Sequence, residues 1–142
     1  MPQLTISVKN ATLVNKNLRD MSAAIPQIAR DDIESVFKRI IKQVGKEPPV
    51  PSGSRYVRTH NLKNSPRLSS TPAGFRLVIN PISPKGRAYG RYVLGDFRGA
   101  GQAWMHVGRW LLLRDIADFE LTKLPDVVYD HIRKLAFIKG LT

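Results

Sequence analysis

Apolar residues recur at steps of three or four from Leu13 to Val44, the spacing that gives a helix one apolar face. Pro26 lies inside this run, and proline removes a helical hydrogen bond and clashes with the preceding turn. The pattern therefore predicts either one kinked helix or two helices, with Pro26 best placed in the first turn of the second. Gly45, directly before Lys46-Glu47-Pro48-Pro49, predicts the end of this helical region.

Short strands are predicted near the start and in the middle of the chain. Residues 4–8 alternate between apolar and polar side chains, and the segments 75–79 and 88–94 are rich in β-branched and aromatic residues. Helical spacing returns over residues 116–138, where Pro125 is expected to kink or begin a helix. The predicted fold class is α+β, with a small antiparallel β-sheet packed with N-terminal amphipathic helices and a C-terminal helix.

The length of 142 residues predicts a single domain over residues 1–142. Turn-forming residues predict a basic, loop-rich segment at about 46–72 and a flexible loop at about 95–103. The chain has no cysteine, which excludes disulfides, thiolate zinc sites and thiol nucleophiles. No apolar run approaches the roughly 20 residues needed to cross a bilayer. Residues 1–5 lack the features of a signal peptide, which favours intracellular synthesis.

The charge of the chain is strongly and unevenly basic. Lys and Arg number 23 against 11 Asp and Glu, a formal net charge of +12 at pH 7. Most of the excess lies in residues 51–100, where Asp96 is the one acidic residue. Such a segment is expected to bind either the phosphates of nucleic acid or an acidic protein surface, and a solvated face is the third alternative. The residues proposed for this contact are Arg55, Arg58, Lys63, Arg67, Lys85, Arg87, Arg91 and Arg98.

A second cluster combines aromatic, imidazole and guanidinium side chains, a composition typical of protein interfaces. It comprises Trp104, His106, Arg109 and Trp110. We interpret it as an interface with another subunit or a partner protein. The alternative is that at least one of the two tryptophans belongs to the core.

No catalytic, metal or cofactor-binding residue is predicted. The three histidines are widely separated, and none has a partner at metal-ligand spacing. Asp126 and Asp130 share a helix face, but surface solvation explains them better than acid–base chemistry. An enzyme, such as a nuclease using Asp126, Asp130 or His131, is therefore the least favoured class of function.

One segment resembles a known signature. The segment Arg55-Tyr56-Val57-Arg58-Thr59-His60-Asn61-Leu62-Lys63-Asn64-Ser65 is similar to the Arg-Thr-Gly-x-Leu-x-x-Ser motif of the neck, or tail-completion, proteins that join head to tail in long-tailed bacteriophages. The order of the predicted elements, the Tyr89–Gly95 segment and the stretch 102–110 also resemble that family. The chain departs from the motif at His60, where the family has Gly.

The departure at His60 bears on the shape of the predicted turn. If the backbone there adopts a positive φ, His is among the few residues other than glycine that tolerate it. The signature turn is then formed by Thr59, His60, Leu62 and Ser65. The hydroxyls of Thr59 and Ser65 are expected to tie the turn, and Leu62 is expected to anchor it in the core.

The resemblance implies a structural, non-enzymatic virion protein without a cofactor. Proteins of this family form homo-oligomeric rings around the DNA channel, so we expect a sixfold or twelvefold ring. The implied partners are a head-side connector and a tail-terminator protein, with nonspecific contact to packaged DNA and none to a membrane. The implied location is the virion neck, and the host cytoplasm during assembly. The alternative function is a freestanding nucleic-acid-binding module.

Overall fold

The computed structural model describes residues 11–50, 52–53, 60–96 and 100–141. Its helices are α1 (Ala11–Val44), α2 (Asn61–Asn64), α3 (Gly90–Leu94), α4 (Leu113–Leu121) and α5 (Leu124–Ile138), with a 3₁₀ helix at Trp104–His106. Strands β1 (Pro66–Thr71) and β2 (Gly74–Ile79) pair in one antiparallel sheet. The predicted α+β class, with a small antiparallel sheet packed against helices, is confirmed. The strand predicted at residues 4–8 lies outside the described residues.

The chain divides into two compact units. Of the described residues, 11–32 and 125–141 belong to unit 1, and those between 33 and 124 belong to unit 2. Helix α1 contributes to both because it runs from Ala11 to Val44 with Pro26 in its interior. Of the two alternatives predicted, one helix through Pro26 is confirmed, and that of two helices with Pro26 in the first turn of the second is wrong. The Pro26 ring fixes φ near the helical value, so the helix loses one hydrogen bond at this point and continues.

Polar contacts join the two helices of unit 1. The Asn17 side-chain amide donates to the Lys139 carbonyl at 2.9 Å, and the Lys139 ammonium lies 3.6 Å from the Asp20 carboxylate. The buried carboxylate of Asp32 lies 2.8 Å from Nδ1 of His131. Because these contacts pair the start of α1 with the end of α5, the two helices are antiparallel.

One stripe of α1 forms the centre of the core of unit 2. Val36, Ile40 and Val44 recur at every fourth position, lie on one helix face and are all buried. They cluster with Leu62, Val93, Leu94 and Ile116. The predicted helix end at Gly45 is confirmed, since α1 stops at Val44 and the Gly45 amide donates to the Ile41 carbonyl at 3.0 Å.

Strands β1 and β2 form a tight hairpin with one apolar face. Thr71 pairs with Gly74 across the two-residue turn, and Gly74 has a φ of 140° that favours glycine. Leu77 and Ile79 pack against the core cluster. The ring centroids of Phe75 and Phe37 are 6.3 Å apart. The strand predicted at 75–79 is therefore confirmed.

Part of the predicted loop-rich segment is regular structure. The structure places helix α2 and strand β1 within residues 46–72. Strand β1 has no clean alternation of apolar and polar residues, since Ser69, Ser70 and Thr71 follow one another. Its strand conformation depends on pairing with β2, which the local pattern of β1 does not encode.

The strand predicted over residues 88–94 is wrong, because residues 90–94 form helix α3. Gly90 lies so close to the buried Pro81 that a Cβ there would come within 2.9 Å of the proline Cδ. Val93 and Leu94 are adjacent and both buried, whereas adjacent side chains of a strand point to opposite faces. Burial on the core therefore overrides the β propensity of Tyr92 and Val93.

The C-terminal helical region consists of two helices, α4 and α5. Pro125 is the second residue of α5, where its missing N–H has no helical acceptor, so the prediction that it begins a helix is confirmed. No helix in the described part of the chain has both the length and the apolar character that membrane crossing requires.

A nearly buried ion pair connects α1 and α4 within unit 2. Glu120 is 3% exposed, and its Oε2 lies 2.7 Å from Nε of Arg39. A carboxylate removed from water is costly unless a cation and hydrogen bonds compensate it. Arg39 is 41% exposed on its side chain, so water shares in that compensation.

We expect Arg39→Met to lower the free energy of unfolding by about 2 kcal/mol, because it leaves the Glu120 carboxylate buried without its partner. Lys38→Met is the matched control, since Lys38 forms an exposed ion pair with Glu34 worth roughly 0.5 kcal/mol or less. The double variant Arg39→Met/Glu120→Leu should recover most of the loss. Urea denaturation measures all three, and equal losses for the two single variants would contradict the assignment.

Candidate functional site

The signature turn contains an unusual backbone conformation. His60 has φ 55° and ψ 14°, and among the described residues it is the only one other than glycine with a positive φ. Its Nδ1 lies 2.8 Å from Oε2 of Glu47, and its carbonyl accepts a hydrogen bond from the Asn64 amide at 3.0 Å. The conformation expected if His60 replaces a glycine of positive φ is therefore present.

The remaining residues of the turn fix it to the core of unit 2. Leu62 is 4% exposed and belongs to the core cluster, and the Ser65 hydroxyl donates to the Leu62 carbonyl at 2.9 Å. The Asn61 side-chain amide donates to the Ile82 carbonyl at 2.9 Å. The predicted anchoring by Leu62 and tie by Ser65 are confirmed. Thr59 lies outside the described residues.

We expect His60→Gly to be more stable than His60→Ala by about 1 kcal/mol, because the left-handed backbone penalises a Cβ. Both substitutions remove the imidazole and its contact with Glu47, so the loss of that contact cancels in their difference. Thermal or urea unfolding of the two variants gives the measurement. An alanine variant as stable as the glycine variant would argue against a left-handed residue at this position.

The outward side of the hairpin is polar and cationic. We call it the basic hairpin face; it comprises Arg67, Ser69, Arg76 and Val78, all exposed. The register places Arg67 opposite Val78 and Ser69 opposite Arg76. The two arginines are therefore diagonal neighbours on one face, roughly 7–8 Å apart. The sequence pattern does not predict that Arg67 and Arg76 share a face, because it does not predict strand β1.

Other basic residues proposed from the sequence lie on separate elements. Lys63 on α2 and Lys85 and Arg87 in the turn after β2 are exposed. Arg91 on α3 is engaged within unit 2, with its guanidinium 3.6 Å from the Asp96 carboxylate and its side chain packed over Gly101. Arg55, Arg58 and Arg98 lie outside the described residues.

The described ends of the 95–103 loop are tied by hydrogen bonds. The Asp96 backbone amide donates a hydrogen bond to the Ala100 carbonyl at 2.8 Å, and the Ala100 backbone amide donates one to Oδ1 of Asp96 at 2.9 Å. The Gln102 side-chain amide donates to the carbonyls of Val93 at 2.8 Å and Trp110 at 3.1 Å. One amide thus connects α3 to the segment that carries both tryptophans. Flexibility of the loop stays a prediction.

The two tryptophans occupy different environments. Trp104 is 84% exposed, whereas Trp110 is half-buried and packs against the core cluster. The alternative that at least one tryptophan belongs to the core is confirmed for Trp110, and an interface role for the exposed Trp104 stays a prediction. The exposed apolar residues around the 3₁₀ helix form what we call the Trp104 surface: Trp104, Met105, Val107 and Leu111.

His106, the last residue of the 3₁₀ helix, is partly buried beside Trp110. The two rings meet edge to face with centroids 6.5 Å apart, and Nδ1 of His106 is buried without a hydrogen-bond partner among the described residues. Burial and the neighbouring Arg109 guanidinium lower the pKa of His106. Arg109 is exposed, and its guanidinium lies 3.4 Å from the Pro49 carbonyl. His106 therefore favours its neutral form.

We expect Trp104→Ala to change the free energy of unfolding by less than about 0.5 kcal/mol, because its side chain is already in water. Trp110→Ala should lower it by about 2 kcal/mol, because packing against the core is lost. Urea denaturation followed by far-ultraviolet circular dichroism compares the two without relying on tryptophan fluorescence. A large loss for Trp104→Ala would mean that this side chain is part of the core.

Two of the residues weighed for catalysis, Asp130 and His131, are engaged in polar contacts with other side chains of unit 1. Lys134 lies 2.6 Å from Asp130, and this hydrogen bond lowers the pKa of Asp130. His131 is held by Asp32. Over the described ranges, no group of three or more His, Asp or Glu side chains is placed to hold a metal ion.

We compared the chain with protein-family models, with curated proteins and with solved structures. No match is found in any of the three comparisons. The features of the chain that bear on function are the signature turn, the basic hairpin face and the Trp104 surface, together with the motif resemblance.

Proposed function

We propose that this chain is a structural protein of the bacteriophage neck that joins the head connector to the tail as one subunit of a ring around the DNA channel. The protein acts by binding neighbours and catalyses no reaction. Its partners are further copies of itself, a head-side connector protein and a tail-terminator protein. It is assembled in the host cytoplasm and then resides in the virion.

The observation that carries this proposal is the left-handed backbone of His60. The motif of the neck proteins has glycine at this position, and glycine is the residue that adopts positive φ without strain. Here the same position has φ 55° although its residue is histidine. A glycine would adopt this backbone without strain, so the conformation of His60 is compatible with the motif and supports the resemblance in addition to the identities of Thr59, Leu62 and Ser65.

The Trp104 surface supports a role in assembly. Large exposed apolar side chains on a small protein mark sites of protein contact, and tryptophan is the residue most enriched among energetically dominant interface contacts. Trp104 is the first residue of a short 3₁₀ helix. Trp110, which follows this helix in the chain, packs against the core. A ring repeats such a contact once per subunit, so modest affinity at each contact is sufficient.

The proposal is tested in a phage whose genome encodes the chain. A nonsense mutation in its gene should give DNA-filled heads and complete tails that remain separate in electron micrographs, and the wild-type gene on a plasmid should restore joined particles. Mass spectrometry of purified particles should detect the chain. Joined, infectious particles without the chain would overturn the proposal.

The same complementation assay examines the Trp104 surface. The Trp104→Ala variant should fold but fail to restore joined particles, because the contact with a neighbour is lost. Tyr129→Ala is the matched control, since Tyr129 is an exposed aromatic residue of unit 1. We expect this control to restore particles, and equal failure of both variants would argue against a specific role for Trp104.

A further inference from the structure

The basic hairpin face is the outer side of a two-stranded ribbon whose inner side is occupied. Phe75, Leu77 and Ile79 point inward, and Leu77 and Ile79 pack against the core of unit 2. The outward positions, including Arg67 and Arg76, are exposed. A partner of the hairpin can therefore reach it from one side only, and meets two guanidinium groups there.

The composition of this face favours an anionic partner. Residues 60–95 contain no Asp or Glu, so the hairpin has no acidic residue to neutralise its arginines. The face also lacks an aromatic residue that would anchor a protein partner, and Val78 is its one apolar side chain. Arginine binds phosphate through a planar fork of donors. These properties favour a phosphate backbone over an acidic protein surface.

The shape of the hairpin fits duplex DNA. The major groove is about 12 Å wide and admits a two-stranded β-ribbon, whose strands are about 4.8 Å apart. The ribbon is supported from behind by the core, and Arg67 donates to the carbonyls of Asn64 at 2.8 Å and Pro66 at 3.1 Å. These bonds hold the Arg67 side chain at one end of the hairpin.

We propose that the basic hairpin face binds duplex DNA without sequence preference, with the ribbon at the major groove and Arg67 and Arg76 on phosphates. The inference rests on the proposed neck function, because the DNA concerned is the DNA that passes through the ring. It assigns that contact to one face of one hairpin. The basic residues on the turn after β2 are not required for it.

The test measures binding of the full chain to a labelled 20-base-pair duplex of mixed sequence by fluorescence anisotropy, at salt concentrations from 50 to 200 mM. Arg67→Gln/Arg76→Gln should weaken binding at 100 mM salt by roughly tenfold or more. It should also reduce the slope of log affinity against log salt by about 2. Arg19→Gln/Arg133→Gln is the matched control, because it removes the same charge from exposed helical positions of unit 1.

A gain of function guards against misfolded variants. Ser69→Lys adds a cation at the centre of the same face and should tighten binding several-fold, which an unfolded protein would not do. The inference is overturned if the wild-type chain shows no binding at 50 mM salt. It is also overturned if the control pair loses as much affinity as the hairpin pair, or if poly-glutamate competes for the face as well as duplex DNA does at equal charge.

This result is separable from the proposed neck function. Particles that contain the chain and join normally, together with hairpin variants that bind DNA unchanged, would overturn the DNA contact and leave the neck function standing. Loss of DNA binding in the hairpin variants, with the chain absent from joined particles, would overturn the neck function. In that case the DNA contact would belong to a freestanding nucleic-acid-binding module.

Discussion

Burial of the stripe formed by Val36, Ile40 and Val44 is the interaction on which unit 2 depends. These side chains lie on successive turns of α1 and contact residues from α2, α3 and α4. Each of those helices is too short to be stable alone, so its conformation is determined by what it buries against the stripe. Leu62 is the contact that transmits this constraint to the signature turn. The left-handed conformation of His60 is thus maintained by a core residue two positions away.

The sequence allowed the long periodic elements to be predicted and the short ones only in part. The apolar spacing of α1 and the glycine at its end were sufficient to predict that helix, although Pro26 suggested a break that does not occur. Over five residues, a helix and a strand cannot be distinguished by periodicity, and the burial of the adjacent Val93 and Leu94 on the core favours a helix for α3. Strand β1 escaped prediction because its partner, and not its own pattern, makes it a strand.

The candidate site was predictable in its residue types but not in its arrangement. Excess positive charge between residues 51 and 100 indicated an anionic partner, yet the sequence pattern did not distinguish the basic residues that share one face from those that form contacts within the protein. The structure separates them, since Arg91 is engaged with Asp96 while Arg67 and Arg76 share one exposed face. Likewise, Trp104 and Trp110 are the same residue type within one short segment, but only Trp104 is largely exposed. Such differences arise from three-dimensional neighbours that a local sequence pattern does not specify.

The alternation of side chains along the hairpin makes its outer face tolerant of substitution and intolerant of insertion. Because alternate residues point to opposite faces, one extra residue within β2 would exchange the positions of Leu77 and Arg76 relative to the core. Substitutions at the outward positions leave the inward ones untouched. The charge of this face can therefore change during evolution by single substitutions that match a change in the partner surface, while the register of the hairpin remains constant.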